Sequence, residues 1–139
     1  MEIRSFGNYR TEFDPTATAN WYQTSERWNC SCGHCRNFLK WAERKQLPEF
    51  MLSLLSKLRI PPEKATYVGE LFTDDAGIHY QVSYRLAGTI TEVPAHSEYD
   101  QRTDYRCCHE PYPYGAPNFP EPHFDLEFYV TLPWFPNES

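Results

Sequence analysis

Three cysteines fall within six residues, Cys30, Cys32 and Cys35, in the run Trp28-Asn29-Cys30-Ser31-Cys32-Gly33-His34-Cys35-Arg36-Asn37-Phe38. Three cysteines lie this close together nowhere else in the chain. Thiolates at such spacing can share a metal ion or exchange a disulfide. Cys32 and Cys35 have the C-x-x-C separation. A helix that begins near Gly33 places Cys32 at its N-terminus, where unpaired amides and the helix dipole stabilise a thiolate. If the lead-in is extended, Cys30 faces the same side as Cys32. The three sulfurs can then converge.

Three readings of the cluster stand side by side. In the first, Cys30, Cys32 and Cys35 are three ligands of a tetrahedral zinc. The fourth comes from Cys107, Cys108 or His109, with His34 and His123 as weaker candidates, and binding pins a distant loop onto the cluster. In the second, Cys32 and Cys35 do redox or metal-dependent chemistry as catalytic residues. Cys32-Gly33-His34-Cys35 resembles the active-site tetrapeptide of the protein disulfide isomerases of the thioredoxin family. That resemblance implies that Cys32 attacks and Cys35 resolves. Ser31 stands where that family carries tryptophan, and the later chain looks antiparallel rather than βαβ. In the third, the cysteines are small buried packing residues, as cysteine often is. The chain holds five cysteines, an odd number that excludes a fully paired disulfide framework.

The elements around the cluster follow from periodicity. Cys35, Phe38, Leu39 and Ala42 recur at helical spacing. A second helix starts at Pro48 with the apolar stripe Met51, Leu54, Leu55 and Leu58, and Pro61-Pro62 ends it. Ala65 to Phe72 reads as a strand, followed by a turn at Thr73–Gly77. Strict alternation then sets Ile78, Tyr80, Val82, Tyr84 and Leu86 on one face, with a bend or bulge at Gly88. A second alternation sets Phe124, Leu126, Phe128, Val130 and Leu132 inward, and Asp125, Glu127, Tyr129 and Thr131 outward. Two short strands are expected in the first third, among residues 3–13 and 19–29, around a turn at Asp14-Pro15. The expected fold is α+β, an antiparallel sheet with two short helices packed on one face. Residues 1–139 form a single domain, with a long Pro/Tyr-rich loop at about 94–122 in which prolines forbid regular structure.

The chain has 139 residues, a net charge of -6 and 17% aromatic residues. That charge argues against general nucleic-acid binding. Between Arg36 and Lys64 seven bases face three acids, a basic patch on an acidic body. No stretch reads as a signal peptide or a membrane span, so the expected compartment is the cytoplasm. The sequence has no G-x-S-x-G, P-loop, G-x-G-x-x-G or H-E-x-x-H pattern, and nothing supports a hydrolase or a transferase. Tyr105, Tyr112, Tyr114 and Phe119, on a proline-stiffened loop, suit a partner-binding patch.

Trp28-Asn29-Cys30-Ser31-Cys32 with Cys35-Arg36-Asn37-Phe38, the turn Pro61-Pro62-Glu63-Lys64 and the ending Leu132-Pro133-Trp134 together resemble a family of small uncharacterised bacterial proteins. The resemblance implies a shared fold and no activity. The expected function is a non-catalytic protein-interaction domain, of the kind of an immunity or inhibitor protein, with a cysteine cluster that binds structural zinc. Its partner would be another protein with a basic surface. The alternative is a thiol-redox or metal-dependent enzyme using Cys32 and Cys35.

Overall fold

A computed structural model describes residues 1–94, 105–110 and 112–136. The two alternating segments form long antiparallel neighbours, β4 (Gly77–Glu92) and β6 (His123–Leu132). Their register runs from Ile78 opposite Leu132 to Ala87 opposite His123. The other strands are β1 (Glu2–Phe6), β2 (Tyr9–Phe13), β3 (Tyr67–Asp74) and β5 (Tyr105–Cys108). They complete a six-stranded antiparallel sheet in the order β1-β2-β4-β6-β5, with β3 also paired to β4. The helices are α1 (Pro15–Thr24), α2 (Gly33–Glu43) and α3 (Glu49–Leu58). This is the α+β architecture expected, with one more helix than periodicity suggested. No helix among the described residues is long and apolar enough to cross a membrane.

One face of β4 and β6 buries Tyr80, Val82, Tyr84, Leu86, Phe124, Leu126 and Phe128. Phe38 of α2 packs on Tyr80 with ring centroids 5.9 Å apart, and Phe50 of α3 packs on Phe128 at 6.1 Å. The helix pair therefore sits on the predicted apolar face, where its two stripes are removed from water.

The first third departs from expectation. Both of its strands lie in residues 2–13, and the segment after them is helical. Asp14-Pro15 starts a helix rather than a turn: the Asp14 side chain accepts from the Ala17 amide, and Pro15 takes the first helical position. A specific need on β4 explains the helix. β3 covers β4 as far as Ser83, and β2 covers it from Gly88. Between them α1 supplies the missing partners. The Tyr22 hydroxyl donates to the Arg85 carbonyl, the Thr18 hydroxyl accepts from the Ala87 amide, and the Asp14 amide donates to the Ala87 carbonyl. Gly88 has φ +137, and a Cβ there would lie 2.0 Å from the Glu12 carbonyl oxygen of β2. The register shift in this pairing falls between Arg10 and Thr11.

Part of the second face of the sheet is covered too, which overturns the expectation that Asp125 and Glu127 point into solvent, while Thr131 on the same face is exposed. Both are buried. Each pairs with the arginine directly across the ladder: Arg85 with Asp125 at 3.0 Å, and Arg106 with Glu127 at 2.7 Å. The Pro/Tyr-rich segment closes over the first pair. The Tyr112 amide donates to Asp125, and Arg85 donates to the Tyr112 carbonyl. The loop comes so close to the sheet edge that a Cβ on Gly115 would sit 1.5 Å from the Thr66 carbonyl oxygen. Part of the expected loop is regular after all. Residues 105–108 contain no proline, and they add to β6 as β5. Residues 95–104, with His96 and Tyr99, and Pro111 lie outside the described residues.

A buried ion pair adds little net stability, but an orphaned charge is costly. Arg85→Met is expected to lower unfolding free energy by about 3 kcal/mol or more near pH 7, measured by urea denaturation. Burial already raises the Asp125 carboxyl above the usual carboxylate range, with Arg85 pulling the other way. Without Arg85 its folded pKa rises further, so folding takes up a proton. The stability deficit should therefore shrink as pH falls toward the unfolded value of about 4. A pH-independent loss below about 1 kcal/mol would show that the pair does not hold the two strands and the loop together.

Candidate metal centre

Residues 29–32, outside any helix or strand, lead from the Trp28 contact into α2. The Trp28 amide donates to the Glu63 carbonyl at 3.0 Å, which anchors this lead-in beside the short turn at Pro62–Lys64. Cys32 is the N-cap of α2, with φ -66 and ψ 161. Its sulfur accepts from the Cys35 amide at 3.4 Å, the N-cap to third-residue bond usually made by serine or aspartate. Cys35 lies one turn into the helix on the buried face, as its position on the apolar stripe predicts. The indole N–H of Trp28 donates to its sulfur at 3.1 Å.

The result is convergence. The sulfurs of Cys30, Cys32 and Cys35 all lie within 4.8 Å of one another. They are graded by depth: Cys32 exposed, Cys30 half-buried, Cys35 buried, and none is in a disulfide. The gradation sets their acidity. The Cys35 amide, with smaller help from neighbouring side chains and the His34 amide, lowers the Cys32 thiol below the ordinary cysteine value. Burial pushes the Cys35 thiol up to about 12, against a smaller opposing effect of the Trp28 indole. The site thus holds one sulfur that ionises more readily than an ordinary cysteine and one that ionises less readily.

Three residues hold this geometry: Tyr80, which periodicity placed only as a core residue, and Asn37 and Trp28, which it did not single out. The Tyr80 hydroxyl donates to the His34 carbonyl at 2.7 Å and ties the first turn of α2 to β4. Asn37 is fully buried in mid-helix. It donates to Tyr80 at 3.3 Å and to the Pro133 carbonyl at 3.0 Å, and accepts from the Phe135 amide at 2.6 Å. Asparagine is a poor residue for a helix interior, and that was its one sequence signal. Trp28 stood in the motif, but nothing in the sequence gave its indole a sulfur partner.

The other sequence candidates are placed elsewhere. Cys107 and Cys108 lie on β5, separated from β3 by β4 and β6. Cys107 is buried opposite Leu126, and Cys108 donates to the Glu110 carbonyl at 3.5 Å. His109 follows them and is exposed. His123 opens β6 with its Nδ1 3.0 Å from the Pro120 carbonyl. His34 is next to the cluster in sequence, but its Nε2 faces Glu70 of β3 at 3.0 Å. Among the described residues, the grouping of potential metal ligands holds the three cysteines and no fourth. Of the four aromatic residues expected to meet a partner, Phe119 is buried against Trp21 and Tyr22, and Tyr105 packs on Phe50 and Phe128. Tyr112 and Tyr114 remain exposed.

No family model, curated protein or solved structure matches this chain.

In the metal-free protein, a limiting amount of iodoacetamide should label Cys32 before the other cysteines, as read by peptide mass mapping. Its rate should begin to rise at a lower pH than that of a model thiol of pKa about 8.5. Cys35 should label slowly until the protein unfolds. Equal labelling of Cys32 and Cys35 in the folded state would contradict the depth difference between them.

Proposed function

We propose that the protein is a non-catalytic interaction domain whose Cys30, Cys32 and Cys35 thiolates hold a zinc ion. The convergence of the three sulfurs carries this reading. Sulfurs around a tetrahedral zinc with bonds of about 2.3 Å stand about 3.8 Å apart, so small side-chain rotations complete the arrangement. The donor set is soft and suits a soft or borderline d10 cation better than calcium or magnesium. N–H donors already point at two of the three sulfurs, from the Cys35 amide and the Trp28 indole. Such bonds orient thiolate ligands and spread their charge. The ion would tie the lead-in after α1 to the first turn of α2, and water or a partner's side chain would take the fourth position. An acidic chain of net charge -6 favours a partner with a basic surface, and the cytoplasm would keep the thiols reduced.

A second reading is favoured by the difference in acidity between Cys32 and Cys35. In thiol–disulfide exchange, the Cys32 thiolate attacks a substrate disulfide and expels one thiolate. Cys35 then loses its proton and displaces the second, leaving a Cys32–Cys35 disulfide and a reduced substrate. The two electrons come from the two cysteines.

Elemental analysis of untagged protein after desalting separates these readings. The zinc reading expects close to one equivalent per chain. It expects loss of most of that metal in Cys30→Ser, Cys32→Ser and Cys35→Ser, and retention in Cys107→Ser. Chelation should lower the melting temperature, because a ligand bound only to the folded state stabilises it. Metal-free protein that reduces insulin disulfides, and loses that activity in Cys32→Ser, would establish the redox reading instead.

A further inference from the structure

An open cleft of about 570 Å³, lined in part by Trp28, lies between the end of α1 and the Pro/Tyr-rich segment. Trp21, Trp28, Tyr112 and Tyr114 contribute its aromatic walls, and Glu26 and Arg27 its charges. Its volume falls in the range of small-molecule and side-chain pockets. We propose that this cleft binds an alkylammonium group, either a free quaternary amine or a methylated lysine side chain.

Three observations select a cation. The aromatic rings are set at angles to one another: Tyr112 and Tyr114 meet at 79° with centroids 5.9 Å apart, making a corner rather than a flat patch. Tyr112 is backed in turn by Tyr67 at 4.6 Å, and Tyr67 by Trp28 at 6.2 Å. Both indole N–H groups are committed inside the protein, Trp21 to the Pro117 carbonyl at 3.0 Å and Trp28 to Cys35. The tryptophans therefore present ring surface and no donor to the cleft, which suits a cation. Ring faces carry negative electrostatic potential and attract ammonium groups. The charges agree. Arg27 is spent on Glu43 at 3.0 Å, whereas no cation among the described residues pairs with Glu26. One carboxylate beside aromatic walls is the complement of a single positive charge.

The walls are also held in place before any ligand arrives. Tyr112 is fixed through its own amide and carbonyl by Asp125 and Arg85, and Gly115 lies against Thr66. Trp21 packs on Phe119 at 4.9 Å. A preformed site loses less ordering entropy on binding than one that must assemble.

The test is a fluorescence or calorimetric titration of the full chain with choline, with its neutral isostere 3,3-dimethylbutanol, and with short peptides carrying lysine or trimethyl-lysine. Saturable binding of choline or the trimethyl-lysine peptide is expected, about tenfold or more tighter than the neutral isostere. Tighter binding of the peptide assigns the ligand to a protein side chain, and tighter binding of choline to a free amine. Glu26→Gln and Tyr114→Leu should each weaken binding about fivefold, with zinc content and circular dichroism unchanged. No saturation by either cation up to about 10 mM would overturn the proposal. Equal affinity for the neutral isostere, or undiminished binding in both variants, would do the same. None of these outcomes bears on the three thiols, so the zinc reading stands or falls separately.

Discussion

The first turn of α2 exposes amides that need acceptors, and the Cys32 sulfur is the acceptor it has. The same bond that caps the helix lowers the pKa of the thiol. Replacing the usual capping oxygen by sulfur thus makes helix initiation and site chemistry one interaction. Cys35, one turn on, is fixed by burial on α2, and the lead-in brings the Cys30 sulfur within 4.8 Å of the other two. The position of α2 decides whether three sulfurs meet.

That position is set from the sheet. Tyr80 holds the first turn by the His34 carbonyl, and Asn37 clamps the chain after β6 against the same helix. β4 is the hub for the rest of the molecule. β3, α1 and β2 share the bonds along one of its edges, and β6 pairs along the other. Because Asp125 and Arg85 draw the Tyr112 backbone onto the second face, that face does not meet solvent at this point. The same clamp sets Tyr112 in the aromatic cleft. The cysteine cluster and the cleft meet at Trp28, whose indole serves one and lines the other.

Much of this was legible in the sequence where a single period ruled. The alternations of β4 and β6, the stripe of α2, and the start of α3 after Pro48 matched the structure because each element buries one face. Cys32 at a helix start followed from Gly33 and the stripe that begins at Cys35. Asp125 and Glu127 were misread because alternation tells two faces apart, but not whether the second face is covered. Arg85 and Arg106 are partners across the ladder, and a cross-strand register cannot be read from one strand alone. α1 was missed because its apolar residues form no clean stripe, although Asp14-Pro15 is a recognisable cap. The proline count hid β5, since the prolines flank that strand and do not enter it. The long-range bonds of Trp28 and Asn37 link residues that no spacing rule connects.

Sulfur convergence at the start of α2 is the claim on which the functional reading rests, and X-ray absorption at the zinc K-edge of the zinc-loaded protein addresses it directly. Three sulfur scatterers at about 2.3 Å and one lighter atom are expected. A first shell of nitrogen and oxygen alone, or of a single sulfur, would contradict that claim.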